Sequence, residues 1–179
     1  MPFSQLLHEF ITLWVVIDPI GTLPVFLAVT AGLSSSQRRS VALRAGAIAL
    51  VVLTLFITLG QIVLDALDIG FPAFQIAGGI VLFLFALSMI FGHSKPEEEI
   101  AEAERVRQTS VFPVAIPSIA SPGAILTVVI LTDNDRFSLA HQAVTTGLMA
   151  LVLLCCLAIL LAATPLHRVL GTAGAAVIS

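Results

Sequence analysis

A chain of 179 residues has room for one ordinary domain, but its composition decides its class. Hydrophobic residues make up 58%, charged residues only 11%, and mean hydropathy is +1.08, whereas a soluble domain carries roughly 25% charged residues. Too few charges remain to cover a water-facing surface. That excludes a soluble globular enzyme, a disordered chain and a nucleic-acid binder built on a basic patch, and it makes a bilayer the natural solvent. The net charge of −3 comes mainly from one acidic loop, and the adjacent Cys155 and Cys156 read as small apolar groups rather than a disulfide.

Five apolar stretches, at 5–31, 44–65, 72–92, 111–132 and 143–163, are long enough to cross the hydrocarbon, which takes roughly 20 helical residues. All are expected to be helices, because open strands leave backbone groups unsatisfied in lipid. No Lys or Arg precedes Arg38, and the first stretch is too long for the apolar centre of a signal peptide, so it is expected to be a span. The connections carry nearly all the charge. Arg38, Arg39, Arg44, Lys95, Arg105, Arg107 and Arg168 fall on one side of the membrane and Arg136 alone on the other. Basic residues stay inside, so the seven-residue side is cytoplasmic and the N-terminus lies outside. The acidic connection 93–110, from Pro96-Glu97-Glu98-Glu99 to Arg107, pairs Glu102 with Arg105 and Glu104 with Arg107 at i,i+3. It reads as a solvated cytoplasmic linker, with a regulatory binding role as the alternative.

Spans one and four are interrupted near their midpoints. Asp18-Pro19-Ile20-Gly21-Thr22 breaks the first, and Pro117-Ser118-Ile119-Ala120-Ser121-Pro122-Gly123 breaks the fourth. Asp and Ser are good N-caps, Pro is favoured at the first helical position, and Pro keeps the residue before it out of a helix. Each span therefore reads as two half-helices. The Asp18-Pro19 and Ser121-Pro122 pairs lie 103 positions apart. The same offset carries span two close to span five, and it carries span three to a sixth span near 175–195, of which Gly174-Ala175-Ala176-Val177-Ile178 reads as the start. The expected architecture is all-α: a polytopic helix bundle of two inverted three-span repeats, 1–92 and 111–179, joined by 93–110, with the sixth helix largely missing. Inverted repeats with broken helices are a transporter architecture, with the site at the breaks.

Asp18 reads as the only acidic residue deep within a span, either as a cap alone or as a cap that also meets a substrate or a proton. At Ser121-Pro122-Gly123 the free amides of a helix start can take an anion, and Gly123 would allow close approach. With the two breaks facing one another, a small zwitterion would place its carboxylate there and its ammonium group at Asp18. Thr22 and Ser118 offer hydroxyls, and Pro19, Gly21 and Pro122 shape the turns. Gln75 is a further candidate for the substrate path, and Gly78-Gly79 reads as a helix-packing site. His8, His93, His141 and His167 lie near span ends and read as solvated at the interface, with a proton relay as the alternative. No metal-ligand spacing, phosphate loop or nucleophile motif is present, so no metal, cofactor or enzymatic activity is expected.

Three blocks carry a family resemblance. Asp18-Pro19-Ile20-Gly21-Thr22-Leu23-Pro24-Val25-Phe26 resembles a DPxGxxPxF motif; Phe71 to Ile80 and Val111 to Ala124 are similar to two further blocks in the same order. These are marks of the MarC family of bacterial inner-membrane proteins, which includes SnatA-type small neutral amino-acid transporters and is related to LysE-like exporters. The resemblance implies six spans with both termini outside, a multi-pass inner-membrane location, and transport of glycine or alanine. The expected partners are the lipid bilayer and a small-molecule substrate exchanged with coupling to a proton or sodium ion, and the reading is compatible with a homo-oligomer. The family commonly has Gly where Ser121 stands, so the serine cap is a reading of this chain alone. A transporter or exporter of another small solute or ion, and a non-transporting membrane scaffold, are the alternatives.

Overall fold

The computed structural model describes residues 2–91 and 114–174. Among these residues every regular element is helical: α1 (Phe3–Ile17), α2 (Thr22–Val29), α3 (Ser35–Ala66), α4 (Phe71–Phe91), a short π-helical segment (Val114–Ile119), α5 (Pro122–Leu131) and α6 (Leu139–Gly174). Phe3–Val29, Ser35–Ala66 and Leu139–Ala163 are each long and apolar enough to cross a bilayer. The 21 residues of α4 reach about 30 Å at 1.5 Å per residue. The linker 93–110 and the residues 175–178 assigned to a sixth span lie outside the described residues.

Local chemistry sets the ends of these helices. Ser34 opens α3 with a reciprocal capping box: its hydroxyl accepts from Gln37 N–H, and the Gln37 side-chain oxygen accepts from Ser34 N–H at 2.9 Å. Ser138 caps α6 without the reciprocal half, accepting from His141 N–H at 3.4 Å. The half-helices α2 and α5 also end alike. Thr30 donates to Phe26 O and Thr132 to Val128 O, both at 2.6 Å, which gives each buried hydroxyl an acceptor without water. Arg38 adds a fork, with Nε donating to Thr30 O and Nη2 to Ala31 O, both at 3.0 Å, and is itself buried.

The core runs along helical stripes. Glu9, Leu13 and Ile17 are buried on α1, spaced four apart. On α3 the stripe is Arg38, Ala42, Ala45, Ala49 and Leu53; on α6 it is Thr145, Met149, Val152, Cys156 and Leu160. Three alanines in the α3 stripe let α6 come close, which is how helices associate where lipid supplies no hydrophobic drive. Large apolar groups such as Val51, Leu55, Ile62, Phe83 and Leu154 point outward. In water that surface would be an aggregation hazard; in a bilayer it is the solvated face. Gly60 and Gly78 mark two further close approaches. A Cβ on Gly60 would sit 2.8 Å from Val129 Cγ2 of α5, and one on Gly78 would sit 3.0 Å from Leu126 Cδ2. Gly79, expected to share the packing role, is exposed, with nothing described within 4 Å of where its Cβ would be.

Candidate functional site

Both midpoint interruptions exist, and they differ in build. The second follows the reading from sequence. Ile116, held extended by the proline after it, has φ −140° and ψ 124°, and Ala120 N–H reaches over the kink to Ala115 O at 2.9 Å. Ser121 is then the N-cap of α5, with φ −70° and ψ 158°; Pro122 is the first helical residue, and Ala124 N–H donates to the Ser121 hydroxyl at 3.1 Å.

The first break corrects the expectation that Asp18 caps a half-helix beginning at Pro19. Asp18 instead ends α1. Its backbone is left-handed, φ 50° and ψ 66°, and its N–H still donates to Trp14 O; α2 begins only at Thr22. Aspartate tolerates this conformation because its short side chain bonds locally. Here Asp18 Oδ1 accepts from Gly21 N–H at 2.9 Å, while Asp18 O accepts from the N–H and the hydroxyl of Thr22, both at 3.0 Å. The carboxylate thus folds over the turn. Gly21 has ordinary helical dihedrals; its role is spatial, because a Cβ there would lie 2.7 Å from Asp18 Cγ.

The two breaks meet. Ser118 Oγ donates to Thr22 Oγ1 at 3.1 Å, and Ser121 Oγ donates to Val16 O at 3.2 Å, joining residues 96 and 105 positions apart. Thr22, Ser118 and Ser121 are all buried, as is Pro19, while Asp18 and Gly21 are half-buried and Pro122 is exposed. Gly123 is buried against α4: a Cβ would come within 3.0 Å of Leu82 Cδ2, so the space read as room for an anion is taken by a leucine. Gln75 is not brought to the breaks. It shares the Gly78 and Leu82 face of α4, but it precedes Leu82, the residue that reaches Gly123, by seven residues, about 10 Å along the axis. A groove of about 460 Å³ lies between α3, α4 and α5, lined by Leu55, Phe56, Gly60, Phe74, Leu126 and Val129 among others. Its walls are hydrocarbon and include no residue of either break, so it suits an acyl or apolar group rather than a zwitterion.

The model of the MarC family integral membrane proteins matches residues 3–179. The chain belongs to the MarC family. It is 33% identical over 159 residues to the UPF0056 membrane protein YvbG of Bacillus subtilis (strain 168), covering 86% of this chain and 75% of that one. It is 32% identical over 174 residues to a UPF0056 membrane protein of Archaeoglobus fulgidus, covering 93% and 79%. A Buchnera aphidicola relative, BU449, is 30% identical over 171 residues, covering 96% and 84%. No solved structure matches. As a MarC family member the chain is a multi-pass membrane protein, in keeping with its helices.

A second polar cluster was missed at the level of sequence. Asp18 was read as the only acidic group deep in a span, but Glu9 is only 2% exposed, on the inward stripe of α1. Its Oε2 accepts from Thr145 Oγ1 at 2.7 Å, and its Oε1 lies 3.1 Å from His141 Nε2. The contact does not have the geometry of a hydrogen bond, so the pair is a close approach of a carboxyl group and an imidazole. His141 is therefore not solvated at the interface: its side chain is 10% exposed and stacks on Phe137, with ring centroids 4.1 Å apart. A signal was available. Glu9, Leu13 and Ile17 form one helical stripe, and a carboxylate on an otherwise apolar stripe needs a partner.

Proposed function

We propose that this MarC protein is a secondary transporter of a small neutral amino acid such as glycine or alanine, and that the two helix breaks form its substrate site. The observation that carries the reading is the direct bonding of the breaks, Ser118 to Thr22 and Ser121 to Val16, in the middle of an apolar bundle. Irregular backbone inside a membrane is kept where it serves a site. The buried hydroxyls of Thr22, Ser118 and Ser121 offer donors to a carboxylate, and the Asp18 carboxylate offers an acceptor to an ammonium group. In this arrangement the breaks close on one another, and the substrate takes the place of the hydroxyl bonds between them when they part.

The matched ends of α2 and α5, and the matched serine caps of α3 and α6, support reading the chain as two inverted halves. In that reading the bundle sits in the bacterial inner membrane with its N-terminus outside and 93–110 cytoplasmic. The test is counterflow of labelled glycine or alanine in proteoliposomes. Saturable exchange, competed by neutral and not by charged amino acids and lost in Asp18→Asn, supports the assignment. Flux no greater than in empty liposomes refutes it.

A further inference from the structure

We propose that Glu9 and His141 form a proton-binding site, separate from the breaks, and that on the transport reading above it is the site through which a proton gradient drives substrate movement. The pair joins α1 to α6 across 132 positions of sequence. A carboxylate and an imidazole in contact can hold one proton in two ways. On Oε1 the proton makes a neutral acid facing a neutral imidazole that carries its hydrogen on Nδ1. On Nε2 it makes an imidazolium facing a carboxylate. Neither form requires a third group to change its charge, which makes a proton the natural guest.

Thr145 completes the site. Its hydroxyl lies 2.7 Å from Glu9 Oε2 and 3.2 Å from His141 O, but it has one hydrogen to give. While Glu9 is charged that hydrogen belongs to Oε2. When Glu9 is neutral, the threonine hydrogen can turn to the carbonyl, so protonation rewires a contact between α1 and α6. The imidazole is the more exposed member, 10% against 3%, and Phe137 holds its plane, so a proton arrives by way of His141.

Among the described residues, the elements packed around the site carry few other ionisable groups. Helix α5 packs on α1 and contributes none; the loop between α5 and α6 brings the buried Asp133, which pairs with Arg136 at 3.4 Å, and the exposed Asp135; on α1 itself His8 points outward. The link to the breaks is α1. Glu9, Leu13 and Ile17 share its inward stripe, and its last turn supplies Val16 O to Ser121. Nine residues, about 13 Å of one rigid helix, separate Glu9 from Asp18.

The experiment has two arms on protein reconstituted in lipid. Infrared difference spectra on lowering pH should show a carboxylic C=O band that is absent in Glu9→Gln and displaced in His141→Gln. In proteoliposomes Glu9→Gln should keep substrate counterflow while accumulation driven by a pH gradient falls about tenfold or more, within the usual range of a coupling free energy. His141→Gln guards against a misfolded first variant and should show the same split. A band unchanged in Glu9→Gln overturns the proton site, and so does full pH-driven accumulation in both variants. Sodium-driven accumulation lost in Glu9→Gln, with no infrared band, assigns the pair to a metal cation and overturns the proton as well. Wild-type protein with the band but no counterflow refutes the transport reading and leaves the proton site standing.

Discussion

Ser121→Ala tests the junction of the two breaks most directly. One hydroxyl does two jobs there, accepting from Ala124 N–H at 3.1 Å as the cap of α5 and donating to Val16 O at 3.2 Å in the last turn of α1. Removing an N-cap costs about 1 kcal/mol, and removing a buried hydrogen bond about another 1 kcal/mol. Ser121 is 2% exposed, so water does not replace either bond. The sum, roughly 2 kcal/mol, corresponds to about a thirtyfold rise in the unfolding constant. Trp14, the chain's one tryptophan, stands four residues before Asp18 and reports on the break. Its fluorescence, followed through reversible denaturation in mixed micelles, gives the free energy. Ser121→Gly keeps a fair cap and should recover about half of the loss. A cost below about 0.5 kcal/mol for Ser121→Ala would refute the claim that this hydroxyl ties the halves together.

Gly60→Ala should destabilise the bundle by about 1–2 kcal/mol, because its methyl meets Val129 in a packed seam, and Val129→Ala in the same chain should restore most of that in a double-mutant cycle. Gly78→Ala should cost stability against Leu126, whereas Gly79→Ala should be neutral or gain up to about 1 kcal/mol from helix propensity; equal effects in the same micelle titration would contradict the packing described for α4. Asp18→Asn should leave stability within about 0.5 kcal/mol, since asparagine also tolerates the left-handed backbone and accepts from Gly21 N–H, yet should abolish counterflow. Arg38→Lys should cost about 2 kcal/mol in thermal or denaturant stability, because an ammonium group cannot reproduce the fork to Thr30 O and Ala31 O.

Much of this molecule was legible without coordinates, for reasons that differ from residue to residue. The spans follow from hydrocarbon thickness and an almost charge-free composition. The Ser121-Pro122 break follows from steric rules acting over one or two residues, and it was realised with the expected cap. Asp18-Pro19 obeys the same rules but had a second solution: the aspartate went left-handed, closed α1 and folded its carboxylate onto Gly21 N–H, moving the start of α2 to Thr22. Nothing within the dipeptide chooses between the two.

Only the tertiary structure decided which polar groups meet. Ser118 finds Thr22, Ser121 finds Val16, and Glu9 finds His141 and Thr145 because the relative height and rotation of packed helices bring them level. Gly123 and Gln75 show the converse, two residues with suitable chemistry whose helix register gives one to Leu82 and holds the other about two turns from the breaks. Backbone rules act over about one helical turn and can be read from neighbours in sequence. Register between helices is set by the sum of many small packing contacts along whole stripes, and no local pattern states that sum.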